Sequence, residues 1–314
     1  MKSLPDHCFV DAGMPLRDKI RMFTCCYLEA QRGALSTPFE TDFKTTLEKH
    51  TETVKETIQK LKDGIPCVCS NCPALHYDFW EDEPNFTTLV LDGWFKDDIC
   101  NINCCYCGQI QKDACNQSLT LFDAAKELST LLPNINSWFY TGGEPSIYPR
   151  KQELFAYAAS KKWRLVEVFT NAVVYDSFFS NREVSYGLIN CSLDSGTRET
   201  YKRVKGKDFF DRVVKNLEKY SADGCDIILK YILLDGLNDD AENINQFLAF
   251  AAHIGARVSL SFDQNAQIHV TKDSSMWPPV ELFVRSAKER NLNIHVEFWP
   301  LGQEEIETIQ TILQ

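Results

Sequence analysis

From residue 86 onward, short apolar runs alternate with stretches whose apolar residues recur at helical spacing. The runs "FTTLVLD", "NSWFY", "WRLVEVFT", "EVSYGLINCSLD", "CDIILKYILL", "ARVSLSF" and "NIHVEF" read as strands. Between them, "SLTLFDAAKELSTLL", "RKQELFAYAASKK", "FFDRVVKNLEKYSADG", "AENINQFLAFAAHIG" and "PPVELFVRSAKERN" read as helices, and "EEIETIQTILQ" as a terminal helix. Strands alternating with helices of about 10–15 residues predict parallel βαβ units. Strands such as "IILKYILL" are largely apolar and β-branched, as expected where helices cover the sheet. A doubly wound open sheet and a (β/α) barrel, full or partial, both fit this order. Either would place function at the C-terminal strand ends. The polar and glycine-rich signatures stand at successive strand ends, as on a barrel rim: a cysteine loop after the first, "TGGEP" after the second, "TN" after the third and "SLDSG" after the fourth.

Upstream, residues 41–63 place Phe43, Leu47, Val54, Ile58 and Leu61 on one helical face, with Gly64 and Pro66 as the stop. Residues 1–40 carry no periodic signal. The expected organisation is therefore a cysteine-rich N-terminal module over 1–85, a barrel over 86–299 and a terminal helix over 300–314.

Composition narrows the function classes. The chain has 314 residues, 44% hydrophobic and 25% charged, which suits a globular enzyme with a sizeable core. Its net charge of -11, without a Lys/Arg run, argues against a nucleic-acid partner. No apolar run approaches the ~18 residues of a membrane span, and the first residues lack the apolar stretch of a signal peptide. The expected location is cytoplasmic, with no membrane partner.

That setting gives the 13 cysteines their meaning, because clustered cytosolic thiols more often hold metal than form disulfides. Cys100, Cys104, Cys105, Cys107 and Cys115 fall in one stretch, "CNINCCYCGQIQKDAC". Within it Cys100, Cys104 and Cys107 form C-x3-C-x2-C. Three thiolates on one short loop can hold three irons of a 4Fe–4S cluster. A structural zinc site is the competing reading; it wants four ligands, and Cys105 or Cys115 could supply the fourth. A second group, "CVCSNC", contains Cys67, Cys69 and Cys72, with Cys25 and Cys26 as sources of a further ligand. An auxiliary Fe–S cluster, a zinc ion and unligated thiols all remain open there. The six histidines show no ligand spacing and read as structural or surface residues.

The stretch "CNINCCYC", with Tyr106 before the third cysteine, and "YTGGEPSIYP" downstream resemble the radical S-adenosylmethionine (radical SAM) superfamily. The resemblance spans roughly residues 86–265 and continues through "VFTNA", "CSLDSGTRETYKRVKG" and "ILLDGLN", which look like its peptide-modifying twitch/SPASM branch. It implies a partial (β/α)6 barrel and a 4Fe–4S cluster on Cys100, Cys104 and Cys107. It also implies S-adenosylmethionine (SAM) on the open iron and a flavodoxin- or ferredoxin-type electron donor. Reductive cleavage of SAM would yield a 5′-deoxyadenosyl radical that takes hydrogen from substrate. Gly142 and Gly143 would let backbone approach the methionine ammonium, with Glu144 serving there or holding the loop. Tyr106 would pack at the adenine, and Ser192 and Asp194 would meet the ribose or carboxylate, with Asn171 a further candidate. Ser192 and Asp194 could equally cap the next turn. Arg203 could pair with the SAM carboxylate, although "YKRVKG" also reads as a solvated helix end. No cysteine follows residue 225, so the branch's C-terminal cluster extension is missing. That departure favours a small-molecule substrate, such as a sugar or nucleotide-linked metabolite, with a peptide or protein as the alternative. A non-catalytic Fe–S or zinc protein is the rival from another class.

Overall fold

A computed structural model describes residues 42–67, 70, 84–92, 95–107, 120–263, 266 and 268–314, together with the short strands β1 (Lys2–Ser3), β2 (His7–Asp11), β3 (Arg21–Phe23), β4 (Ser36–Pro38) and β5 (His76–Tyr77). The remaining strands are β6 (Thr88–Asp92), β7 (Ser137–Tyr140), β8 (Arg164–Phe169), β9 (Ser185–Ser192), β10 (Asp226–Leu233), β11 (Arg257–Phe262) and β12 (Ile294–Val296). The helices are α1 (Phe43–Lys62), α2 (Leu121–Leu131), α3 (Lys151–Ser160), α4 (Ser177–Ser180), α5 (Arg198–Lys205), α6 (Phe210–Ala222), α7 (Ala241–His253), α8 (Trp277–Glu289) and α9 (Gln303–Leu313). Every strand and helix expected from residue 86 onward is present. The chain divides into two compact units, one of residues 1–99 and 112–166, the other of residues 100–111 and 167–314.

In the first unit β6 and β7 pair in parallel, and β2 lies parallel on the other side of β6. β3 and β4 continue that sheet antiparallel. Residues 1–40, silent in the periodicity, therefore contribute strands whose pairing is set by long-range register. Helix α1 starts at Asp42, whose carboxylate accepts the N–H of Thr45, and its buried face holds Phe43, Thr46, His50, Val54, Thr57 and Ile58. Leu47 and Leu61 are only half-buried, so the face is rotated from the predicted one. His50 instead lies inside, its Nδ1 3.1 Å from the Thr37 hydroxyl and its ring stacked on Phe86.

In the second unit β9, β10, β11 and β12 lie side by side in chain order, all parallel. Each strand follows its predecessor without reversal, which is the barrel pattern and not the doubly wound one. One face of this sheet is apolar and covered. Ile189, Cys191, Leu229, Tyr231, Val258 and Leu260 are buried there, and the Tyr231 ring lies 4.8 Å from that of Phe247 on α7 and 5.3 Å from that of Phe283 on α8. Alternation sends Asn190, Ser192, Lys230 and Ser259 to the opposite face. The architecture is an α/β fold of the partial-barrel kind. No helix among the described residues is long and apolar enough to cross a membrane.

Candidate functional site

The cysteine loop of residues 100–107 is held by the end of a helix. The last carbonyls of an α-helix have no partner within it. In α5, the carbonyls of Val204 and Lys205 accept the N–H groups of Cys105 and Asn103, both at 2.9 Å. The loop then turns on itself, with Cys107 N–H donating to Cys104 O at 3.0 Å. Gly206 closes α5 in the left-handed conformation, and a Cβ there would stand 2.7 Å from Asn103 O. The glycine therefore admits the loop as well as ending the helix. Cys100, Cys104 and Cys107 are each half-buried, whereas Cys105 is exposed. Among the described residues no three metal-capable side chains converge on a single ion. The donor chemistry, three thiols on one pinned loop, fits a cluster that spreads its ligands over three irons.

Among the described residues, Asn171 approaches the sulfur of Cys100 and Tyr106 the side chain of Cys104. Asn171, just past β8, donates its amide to Asn101 Oδ1 at 2.7 Å and lies 3.6 Å from Cys100 Sγ. Its own Oδ1 accepts Val173 N–H at 3.0 Å, which fixes its orientation. Tyr106 brings its hydroxyl beside the Cys104 side chain. That hydroxyl donates to Asp194 Oδ2 at 2.5 Å and accepts from Lys205 Nζ at 2.7 Å. Lys205 Nζ also pairs with Asp194, and both side chains are buried, at 1% and 0% exposure. Asp194 adopts a left-handed backbone (φ 56°) and its other oxygen accepts Ile232 N–H at 2.7 Å. Burial and the Asp194 charge push the Tyr106 phenol up. Burial works against the Lys205 ammonium, but Asp194 and Cys104 outweigh it and hold its pKa above the ordinary lysine value. Removing one partner of such a buried pair typically costs about 3–5 kcal/mol.

Lys205 is the residue missed by sequence reading, and "YKRVKG" is not wholly a solvated helix end. The signal was present: Lys205 stands one turn after buried Tyr201, on the inward face of α5. Arg203, considered for the SAM carboxylate, is exposed, with its guanidinium 3.4 Å from Gly236 O. Ser192 ends β9, half-buried and in register with Lys230.

The glycine pair belongs to the first unit. Gly143 has φ +58°, and a Cβ there would lie 2.9 Å from Ile99 O. Glu144 N–H donates to that same oxygen at 2.8 Å. The buried Glu144 carboxylate accepts the N–H of Ser146 at 3.1 Å and its hydroxyl at 2.5 Å, capping a single 3-10 turn at Pro145–Ile147. Glu144 thus holds the loop. Just before the cysteines, Asp97 accepts the Tyr148 hydroxyl at 2.5 Å and Leu121 N–H at 3.0 Å, anchoring the segment at two places.

On the opposite face of the second unit's sheet, Lys230 pairs with Glu297 at 3.2 Å and Asn190 donates to Glu167 at 3.0 Å. Asn190 Oδ1, Ser261 Oγ and Glu297 Oε2 are buried without a protein partner. This strip can therefore hydrogen-bond a polar ligand. Of the second cysteine group, only Cys67 is described with its side chain. It is half-buried, and its N–H donates to the Ser70 hydroxyl at 2.8 Å. Cys25, Cys26, Cys69 and Cys72 lie outside the described residues.

Comparison with known proteins completes the picture. Residues 98–248 match the family described as the Radical SAM superfamily. A probable GTP 3′,8-cyclase of Pyrococcus abyssi is 27% identical over 164 residues, 51% of this chain and 52% of that protein. The GTP 3′,8-cyclase of Chlorobaculum tepidum is 30% identical over 146 residues, 45% of this chain and 44% of that protein. The chain thus spans about half the length of the curated relatives it matches. In structure, Streptococcus suis SuiB bound to precursor peptide SuiA superposes with a TM-score of 0.51 at 14% identity, covering 95% of this chain and 73% of SuiB. That likeness concerns the fold. The strand-end cysteine loop and the glycine pair both fall within the match: residues 98–248 of the chain are a radical SAM superfamily domain.

Proposed function

We propose that the protein is a radical SAM enzyme whose 4Fe–4S cluster is held by Cys100, Cys104 and Cys107. The observation that carries the reading is the C-x3-C-x2-C loop bonded through Asn103 and Cys105 to the open carbonyls of α5. This arrangement presets the ligand loop without using its thiols. When bound, the cluster and SAM supply a reductive cleavage and the hydrogen abstraction that follows. The chain's own part is to orient. Asn171 steadies Cys100, Tyr106 steadies Cys104, and Gly142 and Gly143 offer backbone to the methionine end of SAM. Glu144 keeps that loop in shape. Because both Asp194 carboxylate oxygens are engaged within the protein, we assign Asp194 to supporting Tyr106 and Lys205, leaving Ser192 as the candidate SAM contact at that strand end.

For the substrate we propose a small molecule of the sugar or nucleotide-linked class. The two relatives in sequence act, by name, on GTP. The strip of Asn190, Lys230, Ser261 and Glu297 offers both donors and acceptors to such a molecule. An N-terminal module over 1–85 carrying a second metal on Cys67, Cys69 and Cys72 with Cys25 or Cys26 is part of the same reading, as are cytoplasmic location and a flavodoxin- or ferredoxin-type donor. The test is anaerobic reconstitution with iron and sulfide, reduction by dithionite, and mass spectrometry for 5′-deoxyadenosine. Wild-type protein should release it from SAM and the Cys100/Cys104/Cys107 triple alanine variant should not. A reconstituted wild-type protein that leaves SAM intact would sink the enzymatic reading.

A further inference from the structure

We infer that Lys205, paired with Asp194, is a positioning residue for the cysteine loop and sets the reduction potential of the cluster bound there. The inference rests on the reading that Cys100, Cys104 and Cys107 hold a 4Fe–4S cluster. It assigns a role to a buried ion pair that supplies no ligand.

The geometry joins Lys205 to the loop at two levels. Its main-chain carbonyl accepts the Asn103 N–H. Its ammonium, on the same residue, bonds the Tyr106 hydroxyl and lies 5.1 Å from the centre of the Tyr106 ring. Tyr106 is flanked in sequence by Cys105 and Cys107 and its hydroxyl reaches the side chain of Cys104. One residue therefore fixes both the backbone and the only aromatic side chain of the ligand loop. Asp194 in turn fixes Lys205. Its carboxylate accepts from Lys205, from Tyr106 and from the Ile232 N–H, while its carbonyl accepts Asn238 Nδ2 at 2.9 Å. The pair is anchored to β10 and to the loop that follows it, not left to water.

A buried lysine that served only to fill space would be replaced at lower cost by an apolar side chain. A fixed cation close to a cluster has a definite electrostatic effect instead. One-electron reduction of the cluster from the 2+ to the 1+ state adds a negative charge, which a nearby ammonium favours and a nearby carboxylate opposes. Fe–S potentials respond to net charge and to hydrogen bonds around the sulfurs, and low solvent access strengthens both effects. The two members of the pair should therefore move the potential in opposite directions.

The test uses the full chain, reconstituted with iron and sulfide, without SAM. Iron per chain is measured first, and then the midpoint potential is obtained by EPR-monitored titration with dithionite. Lys205→Met should lower the potential, because a cation is lost and Asp194 stays. Asp194→Asn should raise it, because the carboxylate is lost and Lys205 stays. Lys205→Arg, which keeps the charge, should return the potential close to the wild-type value. Opposed shifts with iron retained support the inference, since a purely structural pair would move both variants the same way or not at all. Should Lys205→Met fail to fold, Asp194→Asn decides alone: an unchanged or lowered potential overturns the inference. Iron-loaded Lys205→Met at the wild-type potential also overturns it. A wild-type chain that binds no iron would remove the cluster reading and this inference together.

Discussion

Gly143 lies so close to Ile99 that a Cβ on the glycine would stand 2.9 Å from the Ile99 carbonyl oxygen, and Ile99 directly precedes Cys100. Gly143, read from sequence as part of an approach route to SAM, thus has an internal reason to lack a side chain. Its loop is packed on the last residue before the cysteine loop. Gly143→Ala should suffer from both the contact and the positive φ of 58°. The backbone term alone is about 1–2 kcal/mol. Denaturant unfolding should show at least that loss, accompanied by reduced SAM binding in equilibrium dialysis. Wild-type stability would mean that the loop relaxes away from Ile99.

The cysteines can be sorted by iron content. Single alanine substitutions of Cys100, Cys104 or Cys107 should each lower the reconstituted iron and abolish SAM cleavage. Cys105→Ser should retain both, because the exposed Cys105 side chain is not needed as a ligand. Iron that survives in the triple variant and vanishes when Cys67→Ala is added would locate the second cluster. No residual metal in the triple variant would refute a second site.

His50 makes stability depend on pH. Its burial lowers the imidazole pKa from 6.5 to about 4. Between those values the unfolded chain binds a proton that the folded chain refuses, so stability rises with pH across the window. It is complete above about 6.5 and is lost as the pH falls toward 4. The shift corresponds to roughly 3 kcal/mol at most. Urea unfolding at pH 7 and pH 4.5 should show the decline, and His50→Gln should flatten this component. An equal decline in His50→Gln would assign it to other groups.

Arg203 provides the contrast to Lys205 two residues away. Its side chain is exposed and, among the described residues, has one long contact, to Gly236 O at 3.4 Å. Arg203→Ala should change stability and SAM affinity by no more than about 0.5 kcal/mol, as is usual on surfaces. Isothermal titration with SAM checks this, and a tenfold weaker affinity would restore Arg203 as a carboxylate ligand.

What the sequence determined by itself is the part carried by local periodicity and spacing. The alternation from β6 to α9 reports how each segment is buried, and burial has a period of 2 in strands and 3.6 in helices. The C-x3-C-x2-C loop, Tyr106, the glycine pair and Glu144 stand out in the sequence for a related reason: the chemistry proposed for them needs neighbouring residues, so it leaves a local mark. Tertiary structure decided the rest. The strands β2 to β4 gain their identity from pairing with β6 and with one another, across up to about eighty residues of chain. The inward face of α1 proved to be centred on His50 because Thr37 and Phe86 meet it there. In the sequence Lys205 looks like an ordinary surface lysine, and Asp194, eleven positions before it, like a SAM contact or a turn cap. They become one buried pair only because α5 and the turn after β9, held by Ile232 of β10, bring them to the hydroxyl of Tyr106. A charge becomes functional when desolvation and a partner act on it together, and both are properties of the folded chain.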